Sequence, residues 1–104
     1  MAHYLASVEG KNYLITSLVA EVANQYFELL ALDMELEILR ETINLQNNQL
    51  SIILLEKEAG RANELAVKQF EAQVLNSKSL EVGVTQEIIE AENRINALLG
   101  RFPQ

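Results

Sequence analysis

Apolar residues recur along the first half of the chain with one dominant spacing. Ile15, Val22, Leu29, Leu36, Ile43 and Leu50 lie seven residues apart, and Leu18, Gln25, Leu32, Leu39, Gln46 and Ile53 follow three residues after each. This is the a/d heptad pattern of a helix packed along a narrow seam, with glutamine at two d positions. A strand would need period two, which the run lacks. A second apolar stripe occupies another face: Phe27, Ala31, Met34, Ile38, Leu45, Ile52 and Leu55, interrupted by Glu41 and Asn48. A helix with one packed face needs one stripe. Two stripes predict two sets of neighbours. The pattern predicts a helix from about Lys11 to Ala59, roughly 70 Å long, the proportions of a rod.

Gly60 ends that run. Glycine accepts the left-handed conformation that closes a helix, and Lys57 suits the negative end of the helix dipole. Asn63 can cap the next helix by accepting a hydrogen bond from the N–H groups beyond it, with Glu64 at the positive end. The turn is therefore residues 60–63, and a connection this short makes the two helices antiparallel neighbours. The second helix is expected from Glu64 to about Leu99, with Gly100 and Pro103 stopping it. Its seam is Val67, Phe70, Val74, Ser77, Glu81, Val84, Ile88, Ala91, Ile95 and Leu98, and its second stripe is Ala72, Leu75, Ser79, Val82 and Ile89. Glu81 at a seam position and Gly83 in mid-helix predict a loose or close-packed region. Counting outward from the turn puts Leu50 beside Gln73 and Val74, Ile43 beside Leu80, Leu36 beside Glu87 and Ile88, and Leu29 beside Arg94 and Ile95. The second arm should run out near Ala23, leaving Tyr13 to Val22 as an uncovered overhang.

Composition narrows the class. The chain has 104 residues, 49% of them hydrophobic, with no Trp, four Gly and one Pro. So few breakers do not suit a β or α/β chain. The fold class expected is all-α: one long antiparallel two-helix coiled-coil hairpin, forming a single domain. The net charge is −7. A nucleic-acid partner would need a basic face, so none is expected, and adhesion to anionic lipid is disfavoured. No cysteine is present, which removes disulfides and thiolate chemistry. No apolar run approaches the roughly 18–20 residues of a membrane span; the best, Tyr13–Ala20, is too short. No signal peptide is apparent, and the opening Met1–His3 reads as a remnant ahead of an internal segment.

Chemistry is sparse. Asp33, Glu35, Glu37 and Glu41 on the first helix and Glu81, Glu87, Glu90 and Glu92 on the second would need Glu-x-x-His motifs to build a di-metal site. The one histidine, His3, lies outside the bundle, so these carboxylates read as a solvated acidic face. Ser51, Ser77 and Ser79 have no histidine in range to activate them. Tyr26 and Phe27 are expected in the core. The Asn/Gln cluster Asn44–Leu50 reads as a solvated face around Ile43 and Leu50. Neither catalysis, nor a cofactor, nor a resident metal is expected.

Four motifs in order carry a family resemblance. They are A-x-x-Y-F-x-L-L-A at Ala23–Ala31, E-A-G-x-A-x-E-L-x-V at Glu58–Val67, Q-x-E-A-Q at Gln69–Gln73, and L-L-G-x-x-P at Leu98–Pro103. Together they span nearly the whole chain. It resembles one half of an outer membrane efflux protein, the TolC-like channels of Gram-negative tripartite pumps. The closing motif is most similar to channels serving resistance-nodulation-division pumps.

The resemblance implies a homotrimeric channel in which each subunit gives strands to an outer-membrane β-barrel and two helical hairpins to a periplasmic α-barrel. On that reading the chain is one hairpin, a wall element in the export of drugs, metals or other small molecules. Gly60, Arg61, Ala62 and Asn63, flanked by Glu64 and Leu65, form the tip that docks on a periplasmic adaptor (membrane fusion) protein. An α-barrel wall helix touches a helix on each side, which accounts for two stripes. Two departures stand out: no barrel strand is present, and many relatives carry L-D-V where this chain has Leu65-Ala66-Val67. The alternative is a free-standing coiled-coil adaptor or tether without a transport role. In either case the uncovered stripes favour association of isolated hairpins into a homodimeric four-helix bundle.

Overall fold

The computed structural model describes residues 2–102, without the side chain of His3. Two helices account for most of them: α1, Ala2–Glu58, and α2, Glu64–Leu99. No strand occurs among the described residues. α1 starts at Ala2, well before the expected Lys11. Gly10 lies within the added stretch. One glycine in a helix costs only about 1 kcal/mol against alanine, and the helix-forming residues on both sides outweigh it.

The turn is built as a paired cap. Gly60 has a φ of +75°, the one positive φ among the described residues. The Arg61 N–H donates to the Glu56 carbonyl at 2.8 Å, and the Gly60 N–H donates to the Lys57 carbonyl at 3.0 Å. This is the Schellman arrangement, which satisfies carbonyls that a helix C-terminus otherwise leaves open. On the far side Asn63 Oδ1 accepts from the Ala66 N–H at 2.9 Å, closing the first turn of α2.

The end of α2 is made differently from the expectation. Gly100 does not take the left-handed conformation. Instead the Arg101 N–H donates to the Leu98 carbonyl at 3.1 Å and the Phe102 N–H to the Leu99 carbonyl at 3.4 Å. The helix tightens into three-residue turns, and no residue there needs glycine's freedom. The expected stop at Pro103 lies outside the described residues, as does Met1.

The residues group into two compact units, Leu32–Glu87 and Met1–Ala31 with Ile88–Gln104. The first is the hairpin proper, with the turn at one end. Its core is Leu32 and Ile43 of α1 against Val67, Val74 and Val84 of α2, all buried. Leu36, Leu39, Gln46, Leu50 and Ile53 complete the α1 seam half-buried. Arg40 Nε lies 3.8 Å from Glu81 Oε2, so the acid at a seam position is met by a cation from the other helix. The pair is largely solvated and adds at most about 1 kcal/mol.

The second unit pairs the first stretch of α1 with the last stretch of α2. Its core is Leu18, Ile88 and Ala91, with Ile15, Val22, Gln25, Leu29, Ile95 and Leu98 half-buried. Arg94 ties the two stretches together: its Nε donates to Gln25 Oε1 at 2.9 Å and its Nη2 lies 3.6 Å from Glu28 Oε1. The d-position glutamine thus has a partner on the facing helix. The overhang is shorter than expected. Leu18 is only 2% exposed. The chain beyond α2 continues as a turn, so that Arg101 reaches a cleft shared with Glu21, and Phe102 is half-buried. Tyr13 and Val19 nevertheless remain exposed.

Candidate functional site: an exposed turn and two open helix faces

The turn presents the six residues singled out from the sequence. Gly60, Arg61, Asn63, Glu64 and Leu65 are exposed and Ala62 is half-buried. Gly60 and Arg61 use their N–H groups in one cap and Asn63 its side chain in the other, so the exposed side chains of Arg61, Glu64 and Leu65 are what the turn offers outward. Arg61 makes no salt bridge among the described residues, whose ion pairs are Arg40–Glu81, Lys68–Glu71 and Arg94–Glu28. Ala66 is half-buried.

The second stripe on each helix is open. Phe27, Met34, Ile38, Leu45, Ile52 and Leu55 on α1 are all more than half exposed, as are Leu75 and Val82 on α2. Nothing among the described residues covers these faces. Tyr26 and Phe27, expected in the core, are 54% and 68% exposed. They lie off the heptad seam, and only the seam meets the other helix. Soluble chains rarely leave contiguous apolar faces open without a partner for them.

Of the loose or close-packed region expected around Glu81 and Gly83, the close-packed alternative does not hold at Gly83. A Cβ placed there would meet nothing within 4 Å, so the glycine serves no close packing. Within Asn44–Leu50 the asparagines and Gln49 are solvated as expected, but Gln46 turns inward. Its Oε1 is buried without a hydrogen-bond partner. The cross-helix bonds of Arg94 and Arg40 were not anticipated, although the outward count from the turn already placed Arg94 beside Leu29.

The exposed acids Asp33, Glu35, Glu37, Glu41, Glu87, Glu90 and Glu92 face solvent. No group of three or more His, Cys, Asp or Glu is placed to hold a metal among the described residues. Ser51 donates its hydroxyl to the Asn47 carbonyl at 3.1 Å, a helix-internal bond unrelated to nucleophile activation. Among the described residues, no helix is long and apolar enough to cross a membrane. What the geometry offers is exposed apolar surface on both helices.

Comparison with known proteins agrees with that character. The family model described as outer membrane efflux protein matches residues 1–101. The chain is 31% identical over 102 residues to the cation efflux system protein CusC of Escherichia coli, covering 96% of this chain and 22% of CusC. It is 27% identical over 100 residues to the toluene efflux pump outer membrane protein TtgF of Pseudomonas putida, covering 96% of this chain and 21% of TtgF. The probable efflux pump outer membrane protein SepC, from another strain of Pseudomonas putida, aligns equally well. The chain spans about a fifth of the length of these curated relatives. No solved structure gives a significant match.

Proposed function

Because the chain belongs to the outer membrane efflux protein family, we propose that it is a wall-and-docking hairpin in the periplasmic part of an efflux channel. Its seam holds α1 to α2. Its open stripes pack on other helices of the channel, assembled as a homotrimer. Its turn, residues 60–65, docks on a periplasmic adaptor protein. The observation that carries the reading is the division of each helix into one covered and one uncovered apolar face, since a helix inside a closed wall has a neighbour on each side.

The role is passive and structural. The relatives named for toluene efflux and for cation efflux each align over 96% of the chain. A helical element common to channels with such different cargo suits a wall better than a filter. Outside that assembly the same open stripes would pair two hairpins as a homodimer.

Photo-crosslinking tests the assignment of faces. A photoreactive residue at Arg61 in a full-length channel carrying this hairpin should capture the adaptor, and one at Ile38 should capture channel chain only. Adaptor captured from Ile38, or none captured from Arg61, would overturn the proposed docking role.

A further inference from the structure

The unit Leu32–Glu87 is not evenly packed along its length. From Val74 to Val84 the seam of α2 supplies no apolar side chain, only Ser77 and Glu81, a gap of roughly 15 Å at the helical rise. Counting outward from the turn places Gln46 at the level of Ser77. Ser77 is buried, and Gln46 brings a buried Oε1 with no donor. An unpaired buried acceptor opposes close association at that level, and a serine side chain fills less space than the valines above and below.

The backbone is weakened over the same stretch. Gly83 stands in mid-helix with no packing reason for a missing side chain, and glycine loses the most freedom on entering a helix. Thr85 Oγ1 donates to the Glu81 carbonyl at 2.8 Å, and on the facing helix Thr42 Oγ1 donates to the Ile38 carbonyl at 2.9 Å. Hydroxyl bonds of this kind compete with the helical ladder and bend it. Above and below the gap the packing is regular, with Val67, Val74 and Val84 buried.

We propose that this level, residues 42–46 of α1 against residues 77–85 of α2, is a hinge at which the turn-bearing end of the hairpin bends. The interruption of the α2 seam, the buried unpaired acceptor, Gly83 and two of the four hydroxyl back-bonds fall within it, and Ile43 is the buried apolar side chain that α1 supplies there. The hinge is a property of the hairpin and is independent of what the turn contacts. It gives the turn a freedom of tilt that a uniformly packed pair of helices would deny it.

Amide hydrogen exchange of the 104-residue chain, read by mass spectrometry, tests the hinge on the timescale of local opening. Amides of residues 77–86 should exchange faster than those of residues 67–74 on one side and 88–95 on the other. Gly83→Ala, which adds a methyl group into open space, should slow exchange in that window roughly fivefold. Gln46→Leu, which removes the unpaired acceptor, should slow it roughly tenfold. Protection that rises smoothly from the turn and the chain ends, with no minimum at residues 77–86, would overturn the hinge. So would a minimum that neither substitution shifts.

Discussion

Arg61→Glu, introduced into a full-length channel carrying this hairpin, should cut export at least about tenfold while the trimer still assembles. Arg61 is exposed, and its structural contribution is the backbone N–H that bonds the Glu56 carbonyl, which any residue but proline supplies. The substitution should therefore leave hairpin stability within about 0.5 kcal/mol. An arginine at the centre of an interface often anchors about 2 kcal/mol or more, about thirtyfold in affinity. Reversing its charge adds repulsion where attraction is lost. Susceptibility of cells to an exported compound, measured beside trimer content, reads both effects. Normal export would remove Arg61 from the docking surface. Gly60→Glu is a less clean probe, because a side chain at φ +75° strains the turn itself.

Ile43→Glu should unfold the hairpin, and Ile38→Glu should leave it standing. The two isoleucines lie on one helix in neighbouring turns, at 7% and 61% exposure. At position 43 a carboxylate would replace a buried seam side chain, a loss of about 4 kcal/mol or more. That is a large share of the roughly 5–15 kcal/mol that stabilises an ordinary domain. At position 38 the carboxylate lies on the open stripe, so at concentrations too low for hairpins to pair, thermal stability followed by circular dichroism should change by less than about 0.5 kcal/mol. Equal losses at both sites would mean that the seam and the stripe have been assigned to the wrong faces.

Much of this fold is legible in the residues because heptad spacing encodes a face. Every seam position of α1 from Ile15 to Ile53 and of α2 from Val67 to Leu98 is buried or half-buried. Gly60 and Asn63 announce the turn because few residues other than glycine take a positive φ readily and few side chains cap an N-terminus well. The helix ends were harder to read. Gly100 looks like a stop, yet α2 ends beside it without using its conformational freedom. A glycine marks where a helix is permitted to end, and the surrounding energetics decide whether it does. Tyr26 and Phe27 were misplaced for another reason. Aromatic residues at helical spacing prefer a covered face, but spacing does not say whether the cover belongs to the same chain. The inward turn of Gln46 has no sequence signal beyond its d position, where Gln25 finds Arg94 and Gln46 finds no partner. Of the candidate site, the turn was visible as a turn, whereas the docking role proposed for it rests on the family motifs.

The central claim is that the uncovered stripe is a packing face for other helices. Sedimentation equilibrium of the 104-residue chain at about 0.15 M salt, where its like charges are screened beyond roughly 8 Å, tests this most directly. The account predicts a homodimer for the unaltered chain and a monomer of unchanged helicity for Ile38→Glu combined with Leu45→Glu, both positions being more than 60% exposed. A stable monomer of the unaltered chain at high concentration would contradict it.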